Sequence, residues 1–453
     1  MEVIVENISF EKYPVYKYSG VKWLGDVPEG WDIKKLKEIC SAYGRIGFRG
    51  YTTNDLVGED EGAITISPSN ISENEMSFNK CSYLSWVKYE ESPEIKIYNE
   101  DILIVKTGST YGKIGYVKNL MTKATINPQL LVLKKIKINN SYLYYQLLTP
   151  IIQTQIERDV VGSTIPTISE SKILNFVSLV PTYNEQIAIA SFLDRKTAQI
   201  DKAINIKERQ IELLKERRQI LIHQAVTRGL NTNVKMKDSG VEWIGEIPEH
   251  WGIKKLKYLF RLVGGGTPSK DRKDFWDGDI PWVSPKDMKV DCLSSTEDSI
   301  TEKGLNHSTT SLIEENTLLM VVRSGILQRT IPVAISKVRL SMNQDMKAFV
   351  KIGDVSTEYL FYFIKGNDSF LKNDWVKQGA TVESVEVELM KNGYILVPPK
   401  GEQSDISNYI DSITSKISTA FSCKEREIEK LKEYKATLIN SAVTGKIKVS
   451  QDA

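Results

Sequence analysis

The chain has 453 residues, 41% apolar and 26% charged, with 28 Gly and 15 Pro, which excludes long disorder and predicts two to four domains at roughly 100–200 residues each. Its 60 Lys+Arg against 58 Asp+Glu leave a formal net charge of +2, which excludes a protein that coats nucleic acid by bulk charge and leaves room only for local basic patches. Cys40, Cys81, Cys292 and Cys423 lie far apart without a CxxC unit, and His223, His250 and His307 are too few for most His-based metal sites.

The opening MEVIVENISF has acids where a signal peptide needs a basic start. No apolar run of about 18 residues follows, so a cytoplasmic protein without a membrane span is expected. Residues 19–37 read SGVKWLGDVPEGWDIKKLK and return at 239–257 as SGVEWIGEIPEHWGIKKLK, with thirteen of nineteen positions identical. Short runs rich in Val, Ile and Leu then predict strands: DILIVKTG at 101–108, QLLVLKKI at 129–136 and NFVSLVP at 175–181. SYLYYQLLT at 141–149 reads as a helix between them. The second copy offers NTLLMVVRSG at 316–325, EYLFYFIKG at 358–366 and YILVPP at 394–399.

From Asn184 to Thr227 there is neither Gly nor Pro. Leu193, Ile200, Ile204, Ile211, Leu214 and Leu221 recur at the 3.5-residue period of a coiled coil. Ile410, Ile417, Phe421, Ile428, Leu431 and Leu438 do the same near the C-terminus. Cationic stripe positions match too, Lys207 with Lys424 and Arg218 with Lys435. Residues 209–230 share eleven of twenty-two positions with 426–447. The chain therefore reads as a tandem duplication of about 220 residues, equivalent to a homodimer fused head to tail. The expected fold is two mixed α/β domains, 1–180 and 231–398, separated by long helices in 181–230 and 399–453. Pairing the helices antiparallel, with the domains at opposite ends, buries both stripes.

No catalytic signature emerges. GSTYGKIG at 108–115 misses the phosphate-loop spacing and reads as a tight glycine turn between strands. Rossmann, HExxH, GxSxG and kinase sets are missing, as is a DPPY or NPPY tetrapeptide of an adenine methyltransferase. His223 reads as a polar helix residue, and His250 aligns with Gly30. Basic residues cluster instead: Lys34, Lys35, Lys37, Arg45, Arg49, Lys106, Lys113 and Lys118 in the first domain. Lys254, Lys255, Lys257, Arg261, Lys270, Arg272, Lys273, Arg323 and Arg329 follow in the second. On glycine-rich loops such side chains meet phosphates or base edges.

The doubled SGVxWxGxxPxxW opening, GGGTPSK at 264–270 with DIPWVSPKDM at 279–288, and LIVKTGSTYGKIG at 103–115 resemble the specificity subunits of type I restriction–modification systems. LVPTYNEQIAIASFLD and LLKERRQILIHQAVTRG around the first coil complete the resemblance, which covers essentially the whole chain. It implies two target recognition domains, each reading one half of a bipartite asymmetric double-stranded DNA site. It also implies that the paired helices fix the spacing and dock two modification (methyltransferase) subunits, to which restriction (translocase–nuclease) subunits add. Adenine methylation and ATP-dependent cleavage, with AdoMet, ATP and Mg²⁺, would then belong to those partners, and this chain would be non-catalytic and bind no cofactor or metal. Lys106, Ser109, Tyr111 and Lys113 in the first domain, and Lys270, Lys286, Arg323 and Arg329 in the second, are the expected DNA contacts. The rival reading is a non-catalytic two-module scaffold that binds protein or carbohydrate.

Overall fold

The computed structural model describes residues 11–72, 75–162, 164–377 and 382–449, so MEVIVENISF and the last four residues of the 399–453 tail lie outside the described residues. Two compact units emerge, Met1–Lys207 with Arg426–Ala453, and Glu208–Glu425. The two long segments are single helices, Tyr183–Arg228 and Lys400–Val443. The division runs through both helices, and each unit combines one mixed α/β body with part of each.

In the first unit a four-stranded antiparallel sheet has the order Ile114–Tyr116, Ile102–Val105, Leu130–Lys134, Ser41–Gly44. All of Ile102–Val105 is buried. The reason is two-sided covering combined with the two-residue period of a strand. Ile102 and Ile104 face a core shared with the helices, whereas Leu103 and Val105 face a separate core. That separate core is built with a second sheet, in which Ala124–Ile126 runs parallel to Gly62–Ile66.

The second unit repeats this plan. Its sheet has the order Phe260–Gly264, Met346–Lys351, Leu318–Val321, Val333–Ser336, with Cys292–Leu293 added at the edge. Leu318 and Met320 face the helix-side core, and Leu319 and Val321 the other. Here Ser341–Met342 runs parallel to the end of Trp276–Val283.

The SGVxWxGxxP segments form matching hairpins, Tyr16–Tyr18 with Asp26–Pro28 and Met236–Asp238 with Glu246–Pro248. Each caps a helix end within its own unit. Trp251 lies against Gly229 after the first long helix, and Pro28 with Trp31 lies against Gly445 after the second. Tyr16 Oη donates to the Gly445 carbonyl at 2.9 Å.

In the first unit Leu193, Ile200 and Ile204 share one core with Ile428, Leu431 and Leu438. Lys435 Nζ donates to both Asp201 oxygens at 2.7 Å, and Lys207 Nζ lies 2.7 Å from Glu427. Residue numbers rise on one helix as they fall on the other, so these segments are antiparallel. In the second unit Ile410 packs with Ile222, Ala225 and Val226. Ile417 is buried, while Ile211, Leu214, Leu221 and Phe421 are half-buried. Arg218 lies 5.9 Å from the Phe421 ring centroid. Half-burial is the natural limit for a seam covered from one side only.

One clamp fastens each long helix to its α/β body. Buried Gln186 accepts the Asn139 N–H at 2.8 Å and donates to the Pro181 carbonyl at 2.8 Å. Gln403 accepts the Ser356 N–H at 2.7 Å and donates to the Pro398 carbonyl at 2.9 Å. Replacing Gln186 by Met strands an N–H and a carbonyl, so denaturant unfolding of Gln186→Met should show a loss of about 2–4 kcal/mol. A loss under about 0.5 kcal/mol would show that these bonds do not fasten the helix.

Candidate nucleic-acid interface

The strands of each unit stop at a common end, where the backbone turns polar. In the first unit the Asn127 N–H donates to Ile66 O at 2.8 Å and the Lys106 N–H to Gln129 O at 2.8 Å. The Gly108 N–H reaches Pro166 O at 3.0 Å, and the Ile168 N–H reaches Lys106 O at 2.9 Å. The second unit reproduces all four bonds: Asn343 to Val283 at 2.9 Å, Val322 to Asp345 at 2.8 Å, Ser324 to Glu383 at 3.2 Å, and Val385 to Val322 at 2.8 Å. Ser67–Asn70 and Ser284–Asp287 are also equivalent turns. The Ser67 N–H donates to Asn70 Oδ1 at 2.9 Å, and the Ser284 N–H to Asp287 Oδ2 at 2.8 Å.

Four of the expected contacts lie on the loop joining Ile102–Val105 to Ile114–Tyr116. Gly108 and Gly112, at φ +104° and +82°, make the turn there, a conformation that side chains with a Cβ disfavour. Ser109 is exposed at the tip, and Tyr111 and Lys113 are half-buried. Tyr111 packs on the helix-side core. Lys106 turns inward, its Nζ 3.6 Å from Glu170 Oε1.

In the second unit Arg323 and Arg329 are exposed on the corresponding loop, and Lys270 is exposed on the loop leaving Phe260–Gly264. The glycines before Lys270 serve packing, since a Cβ on Gly265 would lie 2.1 Å from the Asn343 carbonyl. Lys286 sits on the Ser284–Asp287 turn but is clamped by Asp298 at 2.9 Å and Glu297 at 3.0 Å. Hydrogen bonds to Asp298 and Glu297 push its pKa above the ordinary lysine value. Its charge is held, yet already neutralised. Arg45 is a brace rather than a surface cation: its Nε donates to Ile126 O at 3.1 Å and its Nη2 to Thr125 Oγ1 at 2.9 Å.

Sequence reasoning passed over Thr107, Gln129, Gln344 and the Ser67–Asn70 turn, all at the same strand ends. A signal for them exists: ISPSN at 66–70 against VSPKD at 283–287, and Asn127 against Asn343 before an apolar strand. His223 is a structural residue, with Nδ1 2.9 Å from Asn367 Oδ1. Among the described residues no cluster of three His, Cys, Asp or Glu is placed to hold a metal. No described helix is long and apolar enough to cross a membrane.

The helices offer a second kind of surface. In the first unit a groove of about 890 Å³ is lined by Tyr144, Asp194, Asp201, Lys432 and Lys435 among others. Tyr145 Oη donates to Asp194 at 2.8 Å, and Tyr362 Oη donates to Asp411 at the matching place in the second unit. The first long helix exposes Ile206, Leu213 and Ile220 at seven-residue spacing.

The family model described as type I restriction modification DNA specificity domain matches residues 28–215 and 248–430. The chain is 32% identical over 254 residues to the Escherichia coli type I restriction enzyme EcoR124I/EcoR124II specificity subunit, covering 55% of this chain and 57% of that one. It is 23% identical over 371 residues to the Methanocaldococcus jannaschii type I restriction enzyme MjaVIII specificity subunit, covering 79% and 81%. A chain from a structure of the type I R-M system superposes with a TM-score of 0.70 at 14% identity, over 93% of this chain and 99% of that one. The HsdS subunit from Thermoanaerobacter tengcongensis gives 0.52 at 13% identity, over 93% and 98%. The fold is thus shared across these structures.

The contrast between Lys286 and Arg323 is measurable. Arg323→Ala should weaken binding to a cognate duplex roughly ten-fold or more, and little on scrambled DNA. Lys286→Ala should change either affinity less than about three-fold, because its ammonium is already paired. Equal losses for Arg323→Ala on both DNAs in a titration would reassign Arg323 to a phosphate.

Proposed function

Since the chain belongs to the type I restriction modification DNA specificity domain family, we propose that it is the specificity subunit of a type I restriction–modification complex. Each unit reads one half of a bipartite, asymmetric double-stranded DNA site. The observation that carries this reading is the duplicated sheet end, where the same backbone bonds hold different side chains. Lys106 and Thr107 stand in one unit where Val322 and Arg323 stand in the other. One scaffold displaying two chemistries suits two unlike half-sites. A scaffold for protein or carbohydrate gives no reason for the pairing of equal frames with unequal loops.

The paired helices dock two modification subunits, and restriction subunits join through them. The Tyr145–Asp194 and Tyr362–Asp411 pairs support two equivalent docking places. Adenine methylation and ATP-dependent cleavage, with AdoMet, ATP and Mg²⁺, belong to those partners. The chain itself does no chemistry and works in the cytoplasm, where DNA is met. Its near-neutral charge leaves part of the electrostatic attraction to the partner subunits.

Co-purification with a type I modification subunit, followed by sequencing of methylated DNA, tests the proposal. Methylation should fall on one split motif with a fixed spacer and vanish when this chain is omitted. Methylation that is unchanged without it would contradict the reading.

A further inference from the structure

We infer that Thr107 and Arg323 occupy the same reading position of the two units, and that the residue there selects a base in each half-site. The inference rests on the reading of the chain as a DNA specificity subunit and adds the position at which the two halves are told apart. Thr107 forms an isolated antiparallel bridge with Thr167, and Arg323 forms one with Ser384. The bonds on either side are paired as well: Lys106 and Val322 accept from Ile168 and Val385, while Gly108 and Ser324 donate to Pro166 and Glu383. A bridge flanked by the same bonds fixes the same direction for the side chain it carries.

That direction follows from strand alternation. Leu103 and Val105 face the core shared with the second sheet, as do Leu319 and Val321. Thr107 and Arg323 are the next residues on that face. Val322, by contrast, belongs to the helix-side core, and Lys106 is engaged with Glu170. Only the residue after them leaves the covered sheet. Arg323 is exposed and has no carboxylate partner among the described residues. Thr107 is half-buried, 3.4 Å from the Thr167 hydroxyl.

The chemistry differs sharply at this one place. An Arg fork matches O6 and N7 of guanine, whereas a Thr offers one hydroxyl and a methyl that suits thymine. The second half-site should therefore contain a guanine read by Arg323, and the first should lack that contact. The strands align without a gap up to this position, Leu103 with Leu319 and Val105 with Val321, and the loops beyond it diverge, so the backbone bonds fix the correspondence.

The test is methylation of a randomised DNA pool by the assembled complex, mapped by sequencing, with wild type, Thr107→Arg, Arg323→Thr and Arg323→Lys. Thr107→Arg should add a guanine preference at one position of one half of the motif. Arg323→Thr should relax a guanine at one position of the other half, by roughly ten-fold or more. Arg323→Lys should relax it too, since a point charge lacks the fork. A motif left unchanged in every variant overturns the inference. If Arg323→Thr abolishes methylation, Arg323→Lys decides: an intact motif marks a phosphate contact and overturns it, and a relaxed guanine supports it. A Thr107→Arg complex without any methylation also counts against it, because the same backbone position tolerates Arg in the second unit. A wild-type complex that yields no split motif would fail the underlying reading instead.

Discussion

The covering of the central sheet on both faces governs the rest of the molecule. Ile102 and Ile104 are taken by one core, Leu103 and Val105 by another, and each such side chain contributes about 1.5–3 kcal/mol when buried. No position inside these strands is free for polar chemistry. Side chains that meet a ligand are confined to the places where the strands run out. Thr107 and Arg323 stand one step beyond the last covered residue of their rows.

Duplication has preserved the frame and released the loops. The hairpins from SGVxWxGxxP, the glutamine clamps at Gln186 and Gln403, and the Ser67–Asn70 and Ser284–Asp287 turns all recur with the same partners. At the clamps and the turns these bonds pair partly buried backbone groups, so substitutions there are costly. The loops between strands are under no such constraint. That is why Gly108 and Gly112 shape one loop while Ser324 and a short helical turn at Gly325–Gln328 shape its counterpart.

Much of this was legible in the residues. Unbroken 3.5-residue stripes marked the helices, because a period held over so long a run suits a paired helix and no strand. DILIV and LLMVV marked strands, although a run apolar at every position does not say that its faces alternate between two cores. The fate of individual cations was less legible. Lys286 is neutralised by Glu297 and Asp298, and Arg45 bonds to Thr125 and Ile126, contacts set by how the chain folds back rather than by local pattern. The Lys106–Val322 correspondence was marked only by the residue offset that it shares with Asn127 and Asn343. It resides in backbone bonds to 166–168 and 383–385, segments whose side chains differ.

The central claim is that two equal frames present unequal loops to two separate stretches of DNA. Photocrosslinking from a benzoylphenylalanine placed at position 109, and separately at 329, in the complex with modification subunits tests it most directly. Each position should crosslink to one short segment of a cognate duplex, and the two segments should lie in different halves of the split motif. Crosslinks from both positions to the same segment, or to partner protein and never to DNA, would contradict it.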